Sequence, residues 1–393
     1  QIFQELCKNL LFTKNLILKI MKKITEEILQ QTSHPEGRRE FLKYVVLGTA
    51  GLALPSFSAE SDQQSKKKPK VRTREEKLKQ ISSNSYAVNQ LFKRRASGQM
   101  PERPETRQLK EKYGEITLLD FPEFTKKIYP GVNTMDLWSS LFGDFTDDSM
   151  FTRIERNNQV RPGEFDPSSA SGKRWLDQLV SKMVSAGVMA VHISNNAPRN
   201  LADLNEELRK EGIRVGKIWL DAAKQIGAKS MRVNTGGPQI IPASVIEGGY
   251  PRNNEIVPYL KNAIESFKEL ADYGGKVGVK VTIENHWGLA ADPVNIIIIL
   301  NEVNSPWCEA SPDFCNWEHE YMLYNGLDIL VPRATTMIHA KRWTRFPDVD
   351  IAKCVSILNK YGYKGWISLE YEAGGDPVEG TLKLMNDVVD ALI

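Results

Sequence analysis

From about Lys79 onward the chain alternates between two textures. Short runs rich in Val, Ile, Met, Thr and aromatic residues are followed by longer stretches in which apolar residues recur every three or four positions. The first texture suits strands buried on both faces, and the second suits amphipathic helices. Eight runs read as strands: Lys79–Val88, Asn133–Ser139, Val188–Asn196, Ser230–Gly237, Val279–Gly288, Trp307–Asn316, Thr335–Trp343 and Gly365–Gly375. Between them Lys173–Gly187, Val215–Lys229, Val257–Gly275 and Val349–Tyr363 read as helices, several with Gly near the C-terminal end where a helix stops.

Eight strands, each trailed by a helix over roughly three hundred residues, predict an α/β fold: a single-domain (β/α)8 TIM barrel over residues 79–393. An open doubly wound sheet is the competing arrangement, but no Gly-rich dinucleotide turn follows the first strand. Two long insertions, Leu91–Gly114 and Thr146–Ser171, fall where βα loops cover the active face of a barrel.

The N-terminal region is of another kind. Arg38 and Arg39 in "GRREFLK" precede the short, weakly apolar segment Tyr44–Ala59, a series that resembles a twin-arginine export signal cleaved near Ser58 or Ala59. Residues 1–59 are therefore expected to carry the signal and 60–78 a basic linker, whose run Lys66–Arg72 ("KKKPKVR") has Pro inside it and no interleaved aromatic residue. Met21 followed by two lysines has the form of a start site, with residues 1–20 upstream of it. This organisation predicts an exported, periplasmic protein that meets the export machinery and has no stable membrane anchor.

Charge agrees with that division. The chain nets +3, and residues 1–59 hold that whole excess, so the remainder is neutral and has no global pull on nucleic acid. Of Cys7, Cys308, Cys315 and Cys354, three survive processing, too few for a framework of several disulfides. Cys308 and Cys315 can pair in an oxidising compartment, though nothing in their spacing requires it.

Barrel chemistry sits at the C-terminal ends of the strands. There the apolar runs turn polar at Glu284, Asp313, His339 and Glu370. Taken singly, each has an ordinary structural role: a capping carboxylate, a turn residue after Pro312, a core histidine. Together, one on each of four successive strands, three carboxylates and an imidazole repel unless a cation joins them. Such a donor set suits one divalent ion, Mn²⁺, Mg²⁺ or Co²⁺, with Zn²⁺ a further candidate.

The segments "IENHWG", "PDFCNW", "IHAKRW" and "ISLEYEAGGDP", with "LLDFPEF" and "MDLWSSLF" upstream, resemble in order and interval the xylose isomerase-like sugar phosphate isomerase/epimerase superfamily. The resemblance runs from about Lys79 to the C-terminus. It implies a divalent cation held by Glu284, Asp313, His339 and Glu370, and a small carbohydrate substrate. It also implies proton abstraction through a metal-bound enediolate, with Glu284 and Glu370 as the acid/base pair. His192 and His286 are expected to hydrogen-bond the substrate, Lys341 to add a positive charge and Trp138 an apolar face, as does Trp287. The chain departs from the pattern at Cys315, where many relatives have Gly, and at Asn316, where some have a substrate-binding His. Relatives that cut abasic DNA need a three-metal cluster rich in His, whereas only four His follow the signal here. Three readings stay open: a sugar isomerase or epimerase, a lyase that cleaves 3-keto-glycosides by elimination, and a carbohydrate-binding barrel without turnover.

If the arginine pair directs export, replacing Arg38 and Arg39 together by Lys leaves the protein in the cytoplasm on cell fractionation. Undiminished arrival in the periplasm would refute the signal.

Overall fold

The structure, a computed structural model, describes residues 72–94, 102–156, 159–237 and 253–393. The segment expected to be an export signal and most of the expected linker lie outside them. Eight parallel strands form one sheet: β1 (Ile81–Asn84), β2 (Thr134–Trp138), β5 (Met189–Ser194), β6 (Ser230–Arg232), β7 (Lys280–Ile283), β8 (Cys308–Ala310), β9 (Met337–Trp343) and β10 (Trp366–Glu372). Their order is β8-β7-β6-β5-β2-β1-β10-β9. The two ends of this series meet just past β8, where His339 N donates to Pro312 O and Phe314 N donates to His339 O, both at 3.0 Å. The sheet closes there into the expected (β/α)8 barrel.

All eight expected strands are present, and all of the expected spans except Thr335–Trp343, which ends with its ladder, overrun the ladders at their C-terminal ends. Beyond several of the ladders the chain runs into the mouth of the barrel, where single hydrogen bonds to the next strand, such as Ser85 N to Asp136 O, and side chains such as Asp313 Oδ1 satisfy the backbone.

The helices between strands bury the stripe that the periodicity marks. In α4 (Ala170–Ala186) that stripe is Trp175, Leu176, Leu179 and Met183. Ser169 caps its N-terminus by accepting from Gly172 N, and Gly187, at φ +66°, ends it. The helix expected at Val215–Lys229 is the second half of α5 (Glu206–Ile226), capped by Asn205. Its first turns, "EELRKEG", are polar and carry no periodic signal. The outer ring continues with α6 (Asn253–Val277), α7 (Pro293–Val303), α8 (Met322–Leu330), α9 (Ile351–Lys360) and α10 (Pro377–Ala391). Among the described residues no helix is long and apolar enough to cross a membrane.

Both insertions contain regular structure. Leu91–Gly114 carries α2 (Pro104–Tyr113), α3 (Phe121–Ile128) follows it, and Thr146–Ser171 folds into an antiparallel hairpin of β3 (Phe151–Arg156) and β4 (Gln159–Phe165) rather than an open loop. The hairpin forms because Phe151 and Phe165 at its base are buried, and Phe165 packs on Phe142, Trp175 and Trp219 with centroids 5.4–6.0 Å apart. A short helix, α1 (Arg74–Leu78), lies within the stretch read as linker. A Thr73/Glu76 capping box starts it, and Leu78 is buried against Gly131, where a Cβ would fall 2.8 Å from Leu78 Cδ1. Cys308, Cys315 and Cys354 are buried with free thiols, so the first two do not pair.

The loops after β6 and β7 cross at Gly288. Leu289 N donates to Gly236 O at 3.0 Å, Gly288 has φ +70°, and a Cβ on it would lie 2.3 Å from that same oxygen. Gly288→Ala is therefore expected to cost about 1–3 kcal/mol, read as a lower urea midpoint at unchanged slope. A midpoint equal to wild type would mean the crossing is loose.

Candidate active site at the barrel mouth

Turn chemistry sets the position of each strand-end group. Asp313 Oδ1 accepts from the backbone N–H of Cys315 at 2.6 Å and of Asn316 at 2.9 Å, an Asx turn that leaves Oδ2 free. Asn285 ties the end of β7 to that turn: its Oδ1 accepts from Asp313 N at 2.7 Å, and its Nδ2 donates to Asp313 O and Asn316 O at 3.0 and 3.1 Å. Glu284 is buried and held by Arg232 Nη1 at 2.5 Å and Asn316 Nδ2 at 2.7 Å. His339 has its Nε2 2.9 Å from Asp136 Oδ2.

Ligand atoms of Glu284, Asp313 and His339 lie within 4.8 Å of one another, a group able to hold a metal ion. Two buried atoms here, Asp313 Oδ2 and His339 Nδ1, have no hydrogen-bond partner. Such orphans are costly in a finished core and are what a cation would satisfy. Because the Asp136 carboxylate only accepts, the Nε2 proton stays on that side and Nδ1 is the ring atom left for a ligand bond, as in other carboxylate–histidine–metal arrangements.

Glu370 stands apart. Its Oε1 accepts from Lys341 Nζ at 2.7 Å, and Lys341 also donates to Asn316 Oδ1 at 3.0 Å and pairs with Glu372 Oε2 at 2.6 Å. Tyr86 donates its hydroxyl to the other oxygen of Glu372. Above this floor opens a cavity of about 620 Å³, whose wall includes Tyr86, Trp138, Ser194, His286, Trp287, Asn316, Lys341, Glu370 and Glu372. Of the residues expected to meet substrate, Trp138, His286, Asn316 and Lys341 line it. His192 does not. It is fully buried, its Nδ1 2.8 Å from Ser230 Oγ, and its ring meets that of His339 edge-on at 5.6 Å.

Three partners were not foreseen from sequence. Asp136 is a buried hub whose Oδ2 accepts from His339, Ser368, Ser194 and Asn84 at 2.8 to 3.2 Å. Arg232 is the counter-ion of Glu284, and Tyr86 orients Glu372. A single charged residue inside each of two short buried strands was the available signal for Asp136 and Arg232. Nothing in the sequence around Tyr86 marks it.

The charges are strongly perturbed. Burial opposes ionisation of Glu284, but Arg232 and His339 outweigh it and bring its pKa down to about 2. Burial and the carboxylates of Glu370 and Glu284 push Asp313 well above the usual carboxylate range. Burial also works against a charge on His339, yet Glu284 and Asp136 hold its pKa up at about 9. Burial pushes His192 and His286 down to about 4.

These shifts set the pH dependence of the metal-free protein. His339 binds its proton more tightly folded than unfolded, so its contribution is complete below about pH 6.5 and is lost as pH rises through about 9, on the order of 3 kcal/mol. His192 and His286 act in the opposite sense, and their stability is lost as pH falls from about 6.5 to about 4. Asp313, whose carboxyl is pushed up, acts in the same sense as His339, so in chelator-treated protein stability should fall as pH rises through about 9, and Asp136→Asn added to Asp313→Asn should flatten that limb beyond Asp313→Asn alone. Equal alkaline limbs in the single and double variants would contradict the assignment to His339.

A family profile described as the xylose isomerase-like TIM barrel matches residues 151–388. No curated protein matches the chain. Among solved structures, the 3-keto-D-glucoside 4-epimerase of E. coli superposes with a TM-score of 0.52 at 12% identity, over 79% of this chain and 98% of that one. A D-allulose 3-epimerase from Methylomonas sp. gives 0.53 at 12%, over 80% and 99%. An L-ribulose 3-epimerase gives 0.53 at 10%, over 80% and 95%. At these identities the likeness is one of fold, whereas the profile spans more than half of the chain. The chain thus belongs to the xylose isomerase-like TIM barrel family.

Proposed function

We propose that this barrel is a carbohydrate epimerase or isomerase that removes a proton from a carbon beside a carbonyl and returns one. The observation that carries the reading is the convergence of Glu284, Asp313 and His339, with Asp313 Oδ2 and His339 Nδ1 left without partners. These three residues would hold one divalent cation, Mn²⁺, Mg²⁺ or Co²⁺ in preference to Zn²⁺ on an oxygen-rich donor set. When bound, it supplies Lewis-acid polarisation of substrate oxygens and so makes the neighbouring C–H acidic.

The chain's own groups do the rest. Glu370, on the cavity wall, takes the proton and becomes a carboxylic acid. Glu284 directly follows β7 and Glu370 lies on β10, three strands round the closed ring, a separation that would let the two carboxylates act from different sides of a substrate. That is the arrangement an inversion needs. Trp138, His286, Asn316 and Lys341 position the sugar, the tryptophan by its apolar face and the others by hydrogen bonds. His192 backs the His339 ring instead of meeting substrate. The exported location expected from Arg38 and Arg39 belongs to the same proposal.

Two measurements test it. Asp313→Ala and His339→Ala should each lower bound divalent metal by about tenfold or more, since each removes a ligand atom. Metal content equal to wild type in both would remove the centre. In D₂O, the Mn²⁺-loaded protein should place deuterium on carbon in a ketose such as D-allulose or in a 3-keto-glucoside, and Glu370→Gln should slow this by about 10²-fold or more at unchanged metal content. A wild-type protein that binds such sugars and exchanges no carbon-bound proton is a binding protein, not an epimerase.

A further inference from the structure

The wall of the mouth cavity changes character with height. Side chains that point into a barrel stack in layers, and successive layers on one strand are two residues apart. Asp136, Lys341 and Glu370 stand in an inner layer, and two residues further along the same strands come Trp138, Trp343 and Glu372. Tyr86 follows Asn84 at the end of β1 in the same way. We propose that this outer layer is a second subsite and that the substrate carries two rings: a sugar ring over the floor, and a second ring, sugar or aryl, in an aromatic collar above it. The proposal names the substrate class of the same cavity and rests on the carbohydrate reading above.

The collar is aromatic on two sides. At the ends of β1 and β2, Tyr86 and Trp138 pack edge to face with ring centroids 4.8 Å apart. Trp343 ends β9 and Trp287 follows β7, so in the closed ring these two flank β8 and stand across the mouth from that pair. All four rings are half-buried and line the cavity. Between the two aromatic groups the wall is polar: Asn196 and Arg232 lie on one side and Glu372 on the other. A ring with apolar faces and a polar rim fits such walls, its faces against the aromatic side chains and its rim toward the hydrogen-bonding groups.

The collar is held in shape by the protein itself. Trp138 N donates to Ser85 Oγ at 2.8 Å, Tyr86 N donates to Asn84 Oδ1 at 2.7 Å, and the Tyr86 hydroxyl donates to Glu372. Around the Trp343 ring, Lys341 Nζ lies 5.0 Å and the Arg345 guanidinium 5.6 Å from its centre, and Phe346 meets it edge-on at 6.3 Å. Walls already in place spare a ligand the entropy cost of ordering them. Size points the same way. The cavity of about 620 Å³ lies within the range of about 300–1,000 Å³ that takes drug-sized ligands, and a single hexose is a much smaller molecule. Two residues of strand raise the collar about 7 Å above the inner layer, so a lone sugar on the floor leaves the aromatic rings in water and a second ring covers them.

The test is the affinity of matched probes for the Mn²⁺-loaded protein by titration calorimetry. Methyl 3-keto-glucosides of both anomers are the one-ring probes; phenyl 3-keto-glucosides of both anomers and 3-keto-trehalose are the two-ring probes. The best two-ring probe should bind about tenfold or more tighter than the best methyl glycoside, and Trp138→Ala and Trp343→Ala should each bring that ratio below about threefold, with thermal melts confirming the fold. Whether the phenyl glucoside or the disaccharide binds better identifies the outer ring as aryl or sugar. Equal affinities in the wild type, a ratio that survives both substitutions, or no binding of any probe would overturn the inference. A preference that both variants abolish supports the collar even if no deuterium reaches carbon, a result that would remove the epimerase reading alone. Deuterium exchange into the methyl glycoside without any two-ring preference removes the collar and leaves that reading standing. Should one variant fail to fold, the other decides.

Discussion

The backbone bridge between Asp313 and His339 is the constraint on which the rest of the site depends. β8 has only three ladder residues, so the barrel is closed not by a long seam but by two hydrogen bonds just beyond it, through Pro312, Phe314 and His339. Two of the residues that could hold a metal are therefore fixed in register by the bonds that complete the sheet. A slip of one residue in β9 would turn His339 out of the barrel, because side chains alternate along a strand. Closure and site geometry are one structural event.

Electrostatics explains what surrounds that seam. Asp136, Glu284, Asp313 and Glu370 are all buried, which is costly unless each has a compensating partner. Asp136 has His339 and a ring of hydroxyls, Glu284 has Arg232, and Glu370 has Lys341. Asp313 is the exception. Backbone amides satisfy one oxygen, the other has no partner, and its pKa rises as burial and its neighbours dictate. An added positive charge gains most at this point.

The departures from the family pattern are integrated into this network. Cys315 fills the turn beneath Lys341 and donates to its carbonyl. Asn316 is the joint of the mouth, touching Glu284, Asp313 and Lys341 with three different groups. One residue thus links Glu284 and the Asp313 turn to the Lys341 ammonium.

The sequence by itself determined the barrel and most of its mouth. Parallel strands buried on both faces read as apolar runs, and a barrel places its chemistry where those runs turn polar, so Glu284, Asp313, His339 and Glu370 were visible one strand at a time. Local pattern also marked the core of each named helix, although it missed the polar start of α5 and the hairpin held by Phe151 and Phe165. Tertiary structure alone decided the partnerships. Asp136 meets His339 across 203 positions and Arg232 meets Glu284 across 52, and each is a lone charge in a short strand until the ring closes. The partner of Glu370 was decided there too, since strand alternation places its Cβ inward but the ammonium it meets, Lys341, is fixed by Asn316 and Glu372, residues on another element or further along the strand. Local sequence sets which face a side chain occupies; which charge it then meets is set by the folded electrostatics of the whole mouth.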